Sequence, residues 1–466
     1  MTMALPLPLE VSQIAEAVAQ KGGKAIVVGG SVRDHFLSEA VPKDLDIEVY
    51  HLAPEHLEPL LSTFGKVQLV GKRFGVLKLT TPQGDYDVSL PRRESKTGKG
   101  HKGFLVEADP EMTFEEAASR RDFTINAMGF DILQETFIDP HNGREDIQNK
   151  ILRHVGPRFV EDPLRVLRAM QFAGRFEVKI APETIELCRS LDLTELPKER
   201  LYEEFKKLLL KAQCPSIGLE AARELGVLKY FPELEALIGV PQDPQWHPEG
   251  DVWIHNCMVI DEAAKIRDGN EHEDLCLMFG VLCHDFGKPP TTELKEGRWR
   301  SIGHCEAGLE PTERFLKRMT DETALIETVK TLVAEHLRPI YLYGDRDQIT
   351  EGAIRRLSMR ISIPLLVRVA QADHFGRTTP DASAREFPAG KWLLEQAEKL
   401  QVRDNQLEPI LLGRHLLSLG MQPGPEVGTL LKAAFELQLD GKLHTLDEAI
   451  AWAEQQFINK PDGTQN

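Results

Sequence analysis

Two sets of residues could do chemistry. The first opens in "VVGGSVRDHFLSEAVPKDLDIEVY", which carries Gly29, Gly30, Arg33, Asp44 and Asp46. Residues i and i+2 of a strand point to the same side, so Asp44 and Asp46 would sit close together. Adjacent carboxylates repel unless a cation offsets them. Magnesium prefers such oxygens, and two such ions can stabilise the attacking and leaving oxygens of a phosphoryl displacement. A DxD on its own is more often a solvated strand face, so its neighbours matter. Gly29 and Gly30 follow the apolar run "KAIVV" and would let a phosphate approach the backbone. The helix expected next presents free N–H groups to an anion, with Arg33 in its first turn. Asp87, in "DYDVSL", is either a third carboxylate or an ordinary edge residue.

Further along, "SRRDFTINAMGFD" supplies Arg120, Arg121, Asp122 and Asn126. Guanidinium forks match phosphate geometry, and the asparagine could meet a ribose hydroxyl. The plainer reading is a surface ion pair. In "EDPLRVLRAMQFAGRF", Asp162 before Pro163 reads as a helix N-cap. Asp162, Arg165 and Arg168 also recur every third residue and share a face, with Leu164, Leu167 and Met170 on the core side. Such a stripe can hold a base edge, because Asp accepts from an amino group and Arg donates to a carbonyl or ring nitrogen.

The second set is a histidine block. It contains His255, adjacent His284 and Asp285, His304, His336, and adjacent Asp373 and His374. One buried histidine is commonly a core residue. Several imidazoles and carboxylates in one block suit a divalent transition metal, with Ni, Co, Mn, Fe and Zn all admissible. Lys288 follows the pair and could neutralise a phosphate, though a surface lysine is the simpler reading.

Positioning these groups requires two kinds of structure. Residues 1–150 read as mixed α/β, with strand composition in "KAIVVGG", "LDIEVY", "GVLKLT" and "YDVSL". Beyond about residue 155 the periodicity becomes helical and strand signals nearly vanish. Loop-rich breaks at "FPELEALIGVPQDPQWHPEGD" and "GRTTPDASAREFPAG" divide the remainder, so the expected segments are 1–150, 151–240, 241–380 and 381–466. In the last, Pro423-Gly424-Pro425 reads as a sharp turn between helices, and the segment as a packed helical cap. No apolar run approaches the roughly 20 residues that span a bilayer. The six cysteines form no CxxC pair and read as reduced cytosolic thiols, which points to the cytoplasm.

The formal net charge is −17, which argues against a broad nucleic-acid-binding coat. A local basic strip is still available in "PRRESKTGKGHKG", with Arg92, Arg93, Lys96, Lys99 and Lys102. A solvated loop is the alternative reading.

Together, "GGSVRD…DLD", "RRDFTINAM", "EDPLRVLRA" and "PKERLYEEFKKLLL" resemble, in order, the class II tRNA nucleotidyltransferases (CCA-adding enzymes) and their poly(A) polymerase relatives. The resemblance implies an α+β fold: a polymerase-β-like nucleotidyltransferase head, then an all-helical neck, an HD domain and a C-terminal helical tail. It implies that Asp44 and Asp46 are catalytic and hold Mg²⁺. It implies that Gly29, Gly30, Arg33, Arg121 and Arg168 contact the incoming nucleotide, and that Asp162 and Arg165 read the base of ATP or CTP. The strip at 91–103 resembles the loop tied to switching from C to A addition. Gln171 departs from the family, which often has an arginine there. The histidine block resembles the HD phosphohydrolases. That likeness implies metal ligation by His255, His284, Asp285 and Asp373, with His304 and His336 matching the extra histidines of two-metal members.

The combination resembles the bacterial multifunctional type, whose HD domain acts on phosphoesters and 2′,3′-cyclic phosphates. The expected partners are tRNA, ATP and CTP, with no membrane and room for a homo-oligomer. Three alternatives share these motifs: a poly(A) polymerase, an enzyme adding only part of CCA, and an HD-type hydrolase whose head merely binds RNA.

Overall fold

The computed structural model describes residues 5–38, 45–70, 76–96, 104–403 and 406–458; Asp44, Lys99 and Lys102 lie outside them. The chain divides into two compact units, Met1–Leu208 with Ile217–Tyr230, and Leu209–Ser216 with Phe231–Asn466.

The first unit is built on a seven-stranded sheet. Its strands are β1 (Lys24–Val28), β2 (Leu45–Tyr50), β3 (Lys66–Val70), β4 (Val76–Thr81), β5 (Gly84–Ser89), β8 (Gly129–Asp131) and β9 (Thr136–Ile138). They run in the order β3-β4-β5-β2-β1-β8-β9. β1 is antiparallel to β2 and β8, whereas β2 and β5 are parallel. The continuous apolar run of β1 is central, and Ala25 through Val28 are buried. Such a run, covered on both faces, replaces alternation in a central strand.

The helix Leu9–Gln20 places Val11, Ile14, Ala15 and Val18, at helical spacing, in one core with Val27, Ile47 and Val49. Ile26, Val28 and Tyr50 belong to the opposite face, with Met112 and Ala117. The period of two therefore assigns Asp46 and Glu48 to that second face. Between β5 and β8, β6 (Arg92–Lys96) and β7 (Phe104–Ala108) form a separate hairpin. It brackets residues 97–103, so only the flanks of the basic strip are described.

The helix Leu164–Phe176 follows, with Leu164, Leu167 and Met170 buried as its periodicity requires. A two-residue parallel pair, β10 (Ile151–Leu152) and β11 (Lys179–Ile180), flanks it.

The second unit is mainly helical. Helices Val252–Lys265, Glu271–Cys283, Thr323–Glu335 and Ile363–Phe375 form its centre. Glu271–Cys283 is buried continuously from Asp274 to Cys283, as expected of a helix packed on all sides.

One feature corrects the expected absence of strands in this half. β12 (Thr292–Lys295) and β13 (Arg298–Ser301) form an antiparallel hairpin. Its turn residues Glu296 and Gly297 have φ of 54° and 75°, and positive φ at both positions is what a two-residue type I′ turn needs. The strands are short and largely exposed, so they lack the alternation that marks a half-buried strand.

The last segment has its own small core of Leu411, Leu416, Met421, Ala434, Leu443, Ala449 and Ala453. Pro425 heads the helix Pro425–Leu439 after Gly413–Ser418, so the Pro-Gly-Pro turn lies between helices as expected. Among the described residues no helix is long and apolar enough to cross a membrane.

Candidate functional site

In the first unit, a cleft of about 490 Å³ is lined by Gly29, Gly30, Arg33, Asp46, Arg121, Asp122, Asn126, Asp162, Arg165, Arg168 and Arg200, with Leu164. Residues from four separate sequence motifs therefore meet at one place. The turn after β1 begins at Gly29, with φ of 75°, a conformation that disfavours any residue with a Cβ. Space adds a second constraint: a Cβ there would lie 3.3 Å from Arg121 Nη1 and 3.4 Å from Asp46 Oδ2. Gly30 then opens the helix Gly30–Ser38.

β2 carries Asp46 on its exposed side, and the parallel register pairs Asp46 with Asp87 of β5. Both alternate outward from their strands, so the two carboxylates share a face. Hard carboxylate oxygens of this kind fit magnesium.

The arginines are held by partners that fix their direction. Arg33 donates to Asn126 Oδ1 at 2.7 Å and to Asp34 at 2.8 Å, and its guanidinium lies 4.7 Å from the Phe176 ring centre. Arg121 reaches Glu48 at 3.4 Å and the carbonyl of Asn126 at 3.3 Å. Arg168 donates from Nε to Asp122 Oδ2 at 2.6 Å. Burial disfavours the charge on Asp122, but Arg168 and the Asn126 hydrogen bond outweigh it and hold the carboxyl below its usual range. Asn126 is thus a bridge, accepting from Arg33 and donating to Asp122 at 2.9 Å. Arg120 departs from the phosphate-binding expectation: it donates to the backbone carbonyl of Arg92 and does not line the cleft.

At the start of Leu164–Phe176, Asp162 accepts from Leu164 N at 3.1 Å, so the capping reading holds. Its carboxylate also takes both arms of Arg200, at 3.2 and 2.8 Å. Arg165 donates to the carbonyls of Arg158 and Arg120 at 2.9 and 2.7 Å. Arg200 went unassigned in the sequence, although it lies in the quoted "PKERLYEEF" motif. Nothing in its spacing links it to Asp162, 38 positions earlier. Gln171 is fully buried and accepts from Arg175 at 3.2 Å. It does not line the cleft.

In the second unit, His255, His284 and Asp285 offer ligand atoms within 4.8 Å of one another. Asp373 joins them, with Oδ1 at 3.0 Å from His255 Nε2 and 3.9 Å from His284 Nε2. His304 Nε2 lies 3.7 Å from Asp285 Oδ1 and 3.4 Å from His336 Nε2. In each of His284, His304 and His336, Nδ1 sits 2.6–2.8 Å from a carbonyl three residues earlier. That contact selects the tautomer with hydrogen on Nδ1 and turns Nε2 to the centre, the arrangement typical of metal-binding histidines. In His255 the nearest group to Nδ1 is Glu249 Oε1, at 2.9 Å but not aligned as a hydrogen bond.

His284 Nε2 and both Asp285 oxygens are buried without a well-aligned hydrogen bond, although Lys288 Nζ lies 2.7 Å from Asp285 Oδ2. Imidazoles and carboxylates converging this way fit one or two divalent ions. Burial opposes ionisation of Asp285 and Asp373. The charges of His284 and Lys288 hold Asp285 well below the usual range, as Arg377 and the His255 hydrogen bond do for Asp373. Burial, reinforced by His284 and His304, pushes His336 down to about 3, leaving a neutral imidazole suited to ligation.

Three results differ from the sequence reading. Lys288 is buried, not superficial, and also donates to Gln242 at 2.7 Å. His374 turns away from the cluster, meeting the Glu386 carbonyl at 2.9 Å and stacking on Phe387. Glu249 and His247 were missed. His247 Nδ1 lies 2.9 Å from Glu249 Oε1, so one carboxylate is shared by two imidazoles. The only signal was their place in "HPEGDVWIHN", and a carboxylate six residues before a histidine has no helical or strand meaning.

Three family models match successive parts of the chain. Residues 25–153 match the poly A polymerase head domain, 177–238 the probable RNA and SrmB-binding site of polymerase A, and 252–378 the HD domain. Nucleotidyltransferase heads and HD domains both imply dependence on divalent metal. The multifunctional CCA protein of Stenotrophomonas maltophilia is 37% identical over 396 residues, 82% of this chain and 93% of that protein. Its namesake from Xanthomonas campestris is 36% identical over 424 residues, 88% of this chain and 97% of that protein. In fold, the chain is similar to the Bacillus stearothermophilus CCA-adding enzyme in complex with CTP. The TM-score is 0.63 and the identity 22%, over 97% of this chain and 98% of that one. The Thermotoga maritima CCA-adding enzyme complexed with tRNA gives 0.58 at 18% identity, over 96% and 95%. By sequence, domain content and fold, the chain belongs to the multifunctional CCA protein family.

Proposed function

We propose that this chain adds C, C and A to tRNA 3′ ends from CTP and ATP without a nucleic-acid template, and that its HD domain hydrolyses phosphoester or 2′,3′-cyclic phosphate ends. The observation that carries the first activity is the single cleft joining Gly29, Gly30 and Asp46 to Asp162 and Arg165. A cleft so lined can hold a triphosphate at one side and a base edge at the other.

In this reading Gly29, Gly30, Arg33, Arg121 and Arg168 contact the nucleotide, and Arg168 also braces Asp122. Asp162 and Arg165 present an acceptor and donors to the base. Asp44 and Asp46, with Asp87 as a further candidate, would hold magnesium. Bound there, the ion supplies charge neutralisation for transfer of the α-phosphoryl group to an RNA 3′-hydroxyl. In the HD domain His255, His284, Asp285 and Asp373 would hold a transition metal, with His304 and His336 available for a second. Such an ion supplies a Lewis acid for a phosphoester, while Lys288 and Arg377 place positive charge beside the carboxylates. Four segments, 1–150, 151–240, 241–380 and 381–466, serve as head, base-recognising neck, hydrolase and tail. The tRNA substrate suggests a cytoplasmic setting.

The test uses tRNA ending before, within and after CC, incubated with CTP and ATP separately and together, with the 3′ ends sequenced. Complete CCA on the shortest substrate is expected. Addition stopping at CC, A added only to a CC end, or long A tracts would replace this reading with partial addition or poly(A) synthesis. Undiminished incorporation by Asp44→Ala would remove Asp44 from the metal site.

A further inference from the structure

The HD centre opens into a pocket of about 400 Å³, and its wall contains more than metal ligands. Trp246, Trp299 and Tyr341 line it together with Lys288, Arg377, His304 and His336. These three aromatics come from different elements: the turn after Asp243, strand β13 and the helix Arg338–Gly344. All are substantially exposed, at 56, 37 and 59%. Exposed large aromatics scattered singly need no explanation, but convergence on one pocket beside a hydrolytic centre does.

Their supports are specific. Arg298 donates from β13 to Asp243 at 2.7 Å and to Gln245 at 2.6 Å. The loop bearing Trp246 is thereby fastened to the strand bearing Trp299. Alternation on β13 puts Trp299 and Ser301 on one face, and both line the pocket. Thr292, paired with Ser301, makes a hydroxyl contact to it at 2.8 Å. The hairpin thus has one face committed to the pocket, although little of it is buried as core.

We propose that Trp246, Trp299 and Tyr341 form a nucleobase clamp of the HD domain, so that its substrate is a base-bearing nucleotide end rather than a bare sugar phosphate. The inference rests on the phosphohydrolase reading of the same centre. Aromatic faces accept any base by stacking, and each stack contributes on the order of tenfold in affinity. The cations Lys288 and Arg377 lie beside the carboxylates, where the phosphate must approach. A clamp of this type recognises that a base is present without selecting which one. That suits RNA ends of varied sequence.

The experiment compares hydrolysis of adenosine 2′,3′-cyclic phosphate with that of the same ribose cyclic phosphate lacking a base. It uses the metal-loaded full chain and its Trp246→Ala, Trp299→Ala, Tyr341→Ala and Trp299→Phe variants. The native chain is expected to favour the adenosine substrate in kcat/KM by on the order of tenfold or more. Each alanine variant should reduce that ratio, mainly through KM, and Trp299→Phe should retain most of it. A native chain that treats both substrates alike overturns the clamp. So do variants that weaken both substrates equally, because a structural defect leaves the ratio where it was.

If the native chain hydrolyses neither substrate, the phosphohydrolase reading fails and binding decides the clamp separately. Tryptophan fluorescence is then titrated with adenosine 3′-monophosphate and with ribose 3-phosphate; no tryptophan lines the head cleft. Tighter binding of the nucleotide, lost in the Trp246→Ala and Trp299→Ala variants, upholds the clamp. Equal binding overturns it.

Discussion

The head cleft and the HD pocket are both phosphate-handling sites, and they are prepared in opposite ways. The head cleft gathers five arginines against three aspartates in a chain whose formal net charge is −17. Its candidate metal carboxylate Asp46 is exposed. The HD centre is buried: His255, His284 and Asp285 are no more than 1% exposed, the Nδ1 atoms of His284, His304 and His336 are tied to carbonyls, and that of His255 lies 2.9 Å from Glu249. One site therefore concentrates charge for a highly anionic substrate that brings much of its own ligation. The other has its ligands oriented before any ion arrives, which reduces the cost of organising them on binding. The global charge was a poor guide to the first site because the arginines are concentrated, not dispersed.

The strongest way to break this contrast is to separate the two activities. Asp46→Ala should lower nucleotide incorporation by on the order of a thousandfold or more, the scale of losing transition-state charge stabilisation. Hydrolysis of 2′,3′-cyclic phosphate should persist. His284→Ala with Asp285→Ala should do the reverse. Both are measured on one preparation with labelled CTP and a cyclic nucleotide, and an HD-site substitution that stops CCA addition would tie the two chemistries together.

Preorganisation itself is tested at Glu249. Glu249→Gln keeps the side-chain size but removes the charge shared by His247 and His255. Divalent-ion affinity of the HD centre should fall 10- to 100-fold, as for other groups that orient ligating histidines, measured by metal competition at fixed protein concentration. An unchanged affinity would make Glu249 a packing residue.

In the head, Asp162→Asn retains a side chain able to cap the helix but places an amide donor where the carboxylate only accepts. Preference for CTP and ATP over UTP should fall by on the order of tenfold, the worth of one good base contact. Competition between the nucleotides on a tRNA acceptor reads this directly, and an unaltered preference would remove Asp162 from base recognition.

The legibility of these features follows from how local each signal is. The buried β1 and the stripe Asp162–Arg165–Arg168 with its apolar opposite side were readable because type and spacing carry the information within a short window. The candidate quartet His255, His284, Asp285 and Asp373 has no such local signal, since His255 and Asp373 lie 118 positions apart; family resemblance singled it out, and folding brings its members together. Lys288 was misjudged because burial depends on Asp285 and on Gln242, which lies 46 positions away. The β12–β13 hairpin was missed because strands of four exposed residues leave no periodic trace. Arg120 and His374 were grouped with their sequence neighbours, yet adjacent side chains on such elements diverge and meet different partners. Pairings across dozens of residues, such as Asp162 with Arg200, become visible only when the chain is folded.

That last pairing gives the smallest expected effect and the sharpest geometric one. Arg200 holds both oxygens of Asp162, at 3.2 and 2.8 Å, and both side chains are about one-third exposed. At such exposure an ion pair contributes little to stability, so Arg200→Ala should leave thermal unfolding nearly unchanged. If the planar fork serves to orient Asp162 toward the base, lysine cannot replace it, because one ammonium cannot grip two oxygens in a fixed plane. The KM for CTP and ATP should then rise about threefold in Arg200→Lys and somewhat more in Arg200→Ala, with kcat little altered. A full recovery by lysine would reduce the role of Arg200 to charge alone, and Asp162 would then lack the kind of positioning partner that His255 has in Glu249.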